Sequence, residues 1–204
     1  MTTSTITEYP VMEHFATIQG EGFYAGPPAY FIRLGGCDVG CHWCDVKDSW
    51  PIDTHPKIES KDLVDAVLES GLNIVVITGG EPAMHDLTAL ISSLRSAGLK
   101  CHIETSGAHT LTGNFDWITF SPKKFKAPLD SVISLANELK VIVFNRSDFQ
   151  FADEYKSKME VGAQLFLQPE WEKRDEMTPS IIEYIKEHPE WRISLQTHKY
   201  MKIP

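Results

Sequence analysis

Tyr30-Phe31-Ile32-Arg33-Leu34-Gly35-Gly36-Cys37-Asp38-Val39-Gly40-Cys41-His42-Trp43-Cys44 decides how this chain is read. An apolar run with strand character ends just before three cysteines that fall within eight residues. Structural disulfides spread their thiols along a chain, and a reducing compartment would keep these apart in any case. Three thiols this close point to a metal site. A closed zinc site takes four ligands, usually as two separated pairs, so zinc would need His42 or a remote His as the fourth. Cys41-His42-Trp43-Cys44 alone has thioredoxin-like C-x-x-C spacing, but that leaves Cys37 without a role. Three thiolates on a four-iron cluster leave one iron open to a small molecule. The fourth cysteine, Cys101, sits in the run Lys100-Cys101-His102-Ile103 and reads as core.

Outward from this stretch, apolar runs alternate with helical patterns. The runs predict strands at 30–34, 74–78, 101–105, 117–121, 139–144, 164–168 and 192–196. Ser60 is placed to cap a helix carrying Leu63, Val64, Val67 and Leu68 that stops at Gly71. Asp86 can cap one carrying Leu87, Leu90, Ile91 and Leu94, up to Gly98. Thr178-Pro179 reads as an N-cap with proline in the first turn, and that helix ends before Pro189. Shorter helices are predicted over 131–137 and 151–159. Strand–helix alternation implies parallel strands with right-handed crossovers. A closed eight-unit barrel takes about 250 residues. The 204 residues here predict an incomplete, open (β/α) barrel forming one domain over 1–204. Chemistry in such folds gathers at the C-terminal strand ends. Cys37, Gly79-Gly80-Glu81-Pro82, Ser106-Gly107 and Ser121-Pro122-Lys123 all fall there.

Composition narrows the class. Hydrophobic residues make up 42% and charged residues 23%, the balance of a globular chain. The net charge of −9 argues against nucleic acid as the main partner. No apolar run approaches the roughly 20 residues of a membrane span. Residues 1–5 lack the basic-then-apolar layout of a signal peptide, so a cytoplasmic location is expected.

The C-x3-C-x2-C motif after a strand, with an aromatic before its last Cys, resembles the radical S-adenosylmethionine superfamily. Thr78-Gly79-Gly80-Glu81-Pro82, about 35 residues on, matches that superfamily's glycine-rich loop. Thr17-Ile18-Gln19-Gly20-Glu21-Gly22, Arg33, Glu104-Thr105-Ser106-Gly107, Ser121-Pro122-Lys123 and the ending Gln196-Thr197-His198-Lys199-Tyr200-Met201-Lys202-Ile203-Pro204 narrow the resemblance. Together they are similar, nearly end to end, to the 7-carboxy-7-deazaguanine synthase family. Glycyl-radical activases share the cysteine motif but not the C-terminal signature.

The resemblance implies a lyase that turns 6-carboxy-5,6,7,8-tetrahydropterin into 7-carboxy-7-deazaguanine with loss of ammonia, on the route to queuosine. It implies a 4Fe–4S cluster, S-adenosylmethionine, a reductant such as flavodoxin or ferredoxin, and a homodimer. Cys37, Cys41 and Cys44 would hold the cluster. Ile18, Gln19, Gly20, Glu21, Arg33, Thr78, His198 and the Pro204 carboxylate would meet the pterin, with Glu104 orienting it or moving a proton. His42, Trp43, Asp45, Gly79, Gly80, Glu81, Ser106, Ser121, Pro122, Lys123 and Gln168 would line the S-adenosylmethionine site. Lys123 reads equally as part of a solvated loop with Lys124 and Lys126. The resemblance also implies a Mg2+ ligated, in many relatives, by a Thr or Ser hydroxyl where this chain has Val46, which has no oxygen to offer. Weak Mg2+ stimulation is therefore expected, with Asp45 or Asp48 as substitute ligands.

Overall fold

The computed structural model describes residues 7–204. The segment 1–5, read above for a leader, lies outside the described residues. In chain order the elements are β1 (Glu8–Ile18), β2 (Pro28–Leu34), β3 (Lys57–Glu59), α1 (Ser60–Ser70), β4 (Ile74–Gly79), α2 (Thr88–Ser96), β5 (Lys100–Thr105) and β6 (Trp117–Phe120). Then follow α3 (Asp130–Ile133), β7 (Glu138–Val143), α4 (Ser147–Lys156), β8 (Gln164–Pro169), α5 (Arg174–Glu187), β9 (Trp191–Ile193) and α6 (Thr197–Met201).

The strands form one sheet in the order β3-β1-β2-β4-β5-β6-β7-β8-β9. From β2 to β9 every neighbouring pair is parallel. β1 runs antiparallel to β2 and to β3. The first and last strands of this order do not pair, so the barrel is open, as the alternation predicts. Strands form at every predicted run, the last shortened to Trp191–Ile193, but the run at 30–34 is the second strand. β1 escapes the pattern because its register shifts between Val11 and Glu13 and Pro10 interrupts it, which breaks the two-residue period. β3 has three residues, too few to show a period.

Alternation assigns the two faces of the sheet. Ile32 and Leu34, Val75 and Ile77, Cys101 and Ile103, and Leu139, Val141 and Val143 point outward. They pack there with Leu63, Val67, Leu90, Leu94, Ala152 and Ile181 of the surrounding helices. Cys101 is buried among them, as read from its apolar run. The concave face holds the residues between: His102 and Glu104 on β5, Glu138 and Lys140 on β7, and Gln168 on β8. A parallel strand covered on both sides would be apolar throughout. These strands alternate because their inner face serves a site.

One end of that face is plugged. Phe23 stacks on Trp117 with ring centroids 5.0 Å apart, and Tyr24 lies over His102 at 4.5 Å. Glu138 Oε2 accepts from Phe23 N at 3.2 Å and Trp117 Nε1 at 3.0 Å. Burial, opposed by the Lys140 charge, raises the Glu138 carboxyl above its usual range.

Three helix starts differ from the sequence reading. Glu59 occupies the N-cap position of α1 without a side-chain bond, and Ser60 is the helix's first residue. α2 starts at Thr88, where Asp86 Oδ1 accepts from Thr88 N at 3.0 Å. α5 begins at Arg174, so Thr178 is not its cap and Pro179 lies inside the helix. A single-turn segment over Trp171–Lys173, closed by the Glu170 carboxylate accepting from Lys173 N, launches α5 early. Pro179, the sixth residue of α5, has no N–H to donate to Asp175 O, so one intrahelical bond is absent there. The shorter helices shift to Asp130–Ile133 and Ser147–Lys156. Among the described residues no helix is long and apolar enough to cross a membrane.

Candidate active site

A cavity of about 480 Å³ opens on the concave face at the C-terminal strand ends. Its wall gathers Ile18, Gln19, Gly20 and Glu21 from the turn after β1, Arg33 from β2, and the loop residues Cys37, Cys41, Trp43, Cys44, Asp45 and Val46. Thr78, Gly79, Gly80 and Glu81 close the end of β4, with Glu104 and Ser106 beyond β5. Ser121, Lys123, Gln168, His198 and Pro204 complete it. Residues nearly two hundred positions apart thus face one space.

The wall is rigid for identifiable reasons. Gly79 has φ of 128°, and a Cβ there would collide with the Leu34 backbone, so this turn needs glycine. Gly80 N donates to Leu34 O at 2.9 Å and Glu81 N to Gly36 O at 2.8 Å, lashing the glycine turn to the loop that leads into Cys37. The Glu81 carboxylate is spent on the scaffold. It accepts from Ala83 N at 3.1 Å, Thr105 Oγ1 at 2.5 Å, and Ser106 N and Oγ at 2.8 and 2.5 Å. Glu81 and Ser106 therefore shape the wall by joining two strand ends.

Cys37, Cys41 and Cys44 share one wall of the cavity. Burial pushes the Cys41 thiol up to about 11, against the lowering pull of Lys123, and pushes Cys37 up as well. Among the described residues no three His, Cys, Asp or Glu side chains are set around one point as ligands of a metal ion. The donor set, three soft thiols at a cavity wall, fits an iron–sulfur cluster with one iron open toward the space. His42 is not a cavity residue. Its exposed ring packs edge-on against Phe125 and Phe144, each at 5.3 Å. Pro122 also lies outside the wall, because Ser121 and Lys123 take the inward positions on either side of it. Lys123 is no solvated loop residue. Its Nζ bonds Ser121 O at 2.5 Å and Oγ at 2.6 Å, and burial pulls its ammonium below the usual lysine range.

Arg33 faces the cavity with its Nε on Glu13 Oε1 at 2.7 Å. The pair turns the guanidinium fork and leaves its terminal nitrogens without a protein partner among the described residues. Across the space, Gln19 Nε2 donates to Glu104 Oε1 at 3.1 Å, and Gln196 Nε2 to Glu21 Oε1 at 2.9 Å. Between the two carboxylates lies Lys140, its Nζ 2.5 Å from Glu21 Oε2 and 3.5 Å from Glu104 Oε2. Burial would raise the Glu21 carboxyl, but the Lys140 charge and hydrogen bond outweigh it and hold it well below the carboxylate range. Lys140 is the residue that sequence reading missed. The signal was there: a lysine in the apolar run Glu138-Leu139-Lys140-Val141-Ile142-Val143 has to face something polar.

The last residues fold back over the site. Thr197 N and Oγ1 both donate to Gly20 O, at 3.0 and 2.9 Å. Ile203 N donates to His198 O at 3.1 Å, and Thr17 Oγ1 to Pro204 O at 3.1 Å. Lys199 Nζ reaches Asp45 Oδ2 at 2.5 Å, joining this segment to the cysteine loop. Asp48, offered above as a metal ligand, is exposed and lies off the wall.

Residues 31–125 match the Radical SAM superfamily. The chain is 53% identical to the 7-carboxy-7-deazaguanine synthase of Flavobacterium psychrophilum, over 96% of this chain and 92% of that one. It is 51% identical to that of a Synechocystis species, covering 96% and 93%, and 38% identical to that of Escherichia coli K12, covering 96% and 99%. The chain belongs to the 7-carboxy-7-deazaguanine synthase family. A solved structure titled as QueE from Escherichia coli superposes with a TM-score of 0.83 at 36% identity, covering 92% of this chain and 93% of that one. Family membership brings a 4Fe–4S cluster and S-adenosylmethionine with it. It also sets aside the zinc and activase alternatives.

Proposed function

We propose that this chain is a carbon–nitrogen lyase converting 6-carboxy-5,6,7,8-tetrahydropterin to 7-carboxy-7-deazaguanine with release of ammonia, in 7-deazapurine biosynthesis. The observation that supports it most directly is one cavity holding the three thiols, the glycine turn, the Glu21–Lys140–Glu104 group and the returning C-terminal segment. When bound, the cluster and S-adenosylmethionine would supply the one-electron reduction and the radical chemistry of the conversion.

The protein's own part is to bind, orient and exclude water. Cys37, Cys41 and Cys44 would hold the cluster. Gly79 and Gly80 let backbone approach the methionyl group, while Trp43, Asp45, Ser121, Lys123 and Gln168 wall the remainder of that ligand. Arg33 offers its free fork to the substrate carboxylate, a pairing that Arg makes bidentate. Glu21, Glu104 and the Pro204 carboxylate present acceptors to the amino-pyrimidinone N–H groups. Backbone groups of Ile18, Gln19 and Gly20, with Thr78 and His198, complete the pterin contacts. Val46 offers no ligand, and Asp45 is already engaged by Lys199 and Gln196. The residues here do not fit a protein-held Mg2+. A flavodoxin- or ferredoxin-like reductant, a homodimer, a cytoplasmic location and a single domain over 1–204 complete the proposal.

Anaerobic reconstitution followed by reduction, S-adenosylmethionine and the carboxytetrahydropterin tests it. The expected result is about four irons per chain, the deazaguanine by mass, and one ammonia per turnover. Stoichiometric zinc, or intact pterin beside cleaved S-adenosylmethionine, would overturn it.

A further inference from the structure

Lys140 occupies an unusual place, and its surroundings say what it does. Its side chain is 4% exposed, on the concave face between Glu138 and Ile142. A lone ammonium there would be costly to bury. It has two partners from different parts of the chain, Glu21 beyond β1 and Glu104 on β5. Each carboxylate uses one oxygen on Lys140 and the other on an amide, Gln196 for Glu21 and Gln19 for Glu104. Gln19 is fixed in turn, since its Oε1 accepts from Glu21 N at 3.1 Å. Glu21, Lys140, Glu104 and Gln19 thus form a closed circuit, with Gln196 as a further donor on Glu21. Every carboxylate oxygen is anchored, and its remaining lone pairs are left for the cavity. The trio carries one negative charge in excess, which suits a ligand edge made of N–H donors.

We propose that Lys140 is a positioning residue, holding Glu21 and Glu104 together as a paired, acceptor-only rest for the N–H edge of the pterin. The inference rests on the pterin reading above. Two carboxylates sharing a buried site without a counter-ion cannot both stay ionised, so one takes up a proton. A protonated carboxyl presents a donor where the ligand also has a donor, and the rest becomes a clash. The other charged groups facing this ammonium are Glu138 on its own strand, Lys123 beyond β6 and His198 of α6 across Glu21. All three are the same in the variants below, so the effect is read as a difference from wild type.

The test is titration of 6-carboxypterin onto reconstituted enzyme loaded with S-adenosylmethionine and kept unreduced, so that no turnover occurs, at several pH values from 6 to 8. Wild type is expected to bind with little pH dependence beyond that of His198. Lys140→Met should bind at least tenfold more weakly at pH 6 and recover as the pH rises and the shared proton leaves. Lys140→Arg, which keeps the charge, should stay close to wild type in its pH profile. Lys140→Met/Glu104→Gln, which removes the excess carboxylate, should lose the pH step; it also carries the test if the single variant fails to fold. A Lys140→Met enzyme whose affinity is unchanged, or is reduced equally at every pH, overturns the inference while wild-type binding leaves the pterin reading standing. Absence of binding to wild type overturns both.

Discussion

The His198 ring lies directly against Gly20, so closely that a Cβ on residue 20 would run into Nδ1 and Cβ of the histidine. This contact joins the turn after β1 to the segment that closes the site, and Thr197 reinforces it with two bonds to Gly20 O. Glycine is needed here for close approach, since its φ is not in the left-handed region.

Gly20→Ala should therefore displace α6. Overpacking of this kind costs about 1–3 kcal/mol. The expected outcome is a lower Tm and a substrate KM raised about tenfold, with iron content little changed, because Gly36 N on Ser49 O and Cys37 N on Trp50 O anchor the cysteine loop even if its Lys199–Asp45 tether to α6 is lost. Iron analysis, a thermal melt and steady-state kinetics together check it. An unaltered KM would mean that His198 does not sit on the substrate.

Thr17→Val removes the donor that holds the Pro204 carboxylate, a hydrogen bond to a charged group of about 1.5 kcal/mol. KM should rise a few-fold with little change in kcat. Adding one residue after Pro204 displaces that oxygen by up to about 3.5 Å and should have the larger effect on KM. Equal kinetics for all three forms would separate this segment from substrate binding.

His102 makes stability fall in mild acid. Burial holds its pKa down to about 4, from a model-peptide value of 6.5, beneath the Tyr24 ring. The folded form keeps the imidazole neutral while the unfolded chain takes up a proton. Its contribution is thus complete above the unfolded value and is lost as the pH falls from about 6.5 toward 4. Between pH 7 and pH 5 the loss should be about 2 kcal/mol. Denaturant unfolding at the two pH values checks it, and His102→Gln should flatten the difference.

Mg2+ should stimulate wild type only weakly. Val46 lines the cavity without an oxygen, and Lys199 already sits on Asp45. Val46→Thr should bring stronger stimulation, seen as a larger ratio of rates with and without Mg2+ under chelator control. Strong dependence in wild type would identify an oxygen donor elsewhere on the wall.

The division between sequence and tertiary structure follows from the range of the interactions involved. Period-two alternation, capping residues and the C-x3-C-x2-C spacing are local, so the chain order alone determined the parallel strands, the open barrel and the placing of Cys37, Gly79, Ser106 and Ser121 at strand ends. β1 escaped because a bulge and Pro10 erase its period, and α5 because Glu170 starts the helix a turn before the Thr178-Pro179 signal. Direction within a loop was not legible either: His42 and Pro122 turn away from the cavity while their neighbours turn in. What only the tertiary structure decided are the long-range pairings. Lys140 meets Glu21 across 119 positions, Thr17 meets Pro204 across 187, and Arg33 meets Glu13 through strand register. Such contacts depend on which strand ends the barrel brings together, and no local pattern encodes that.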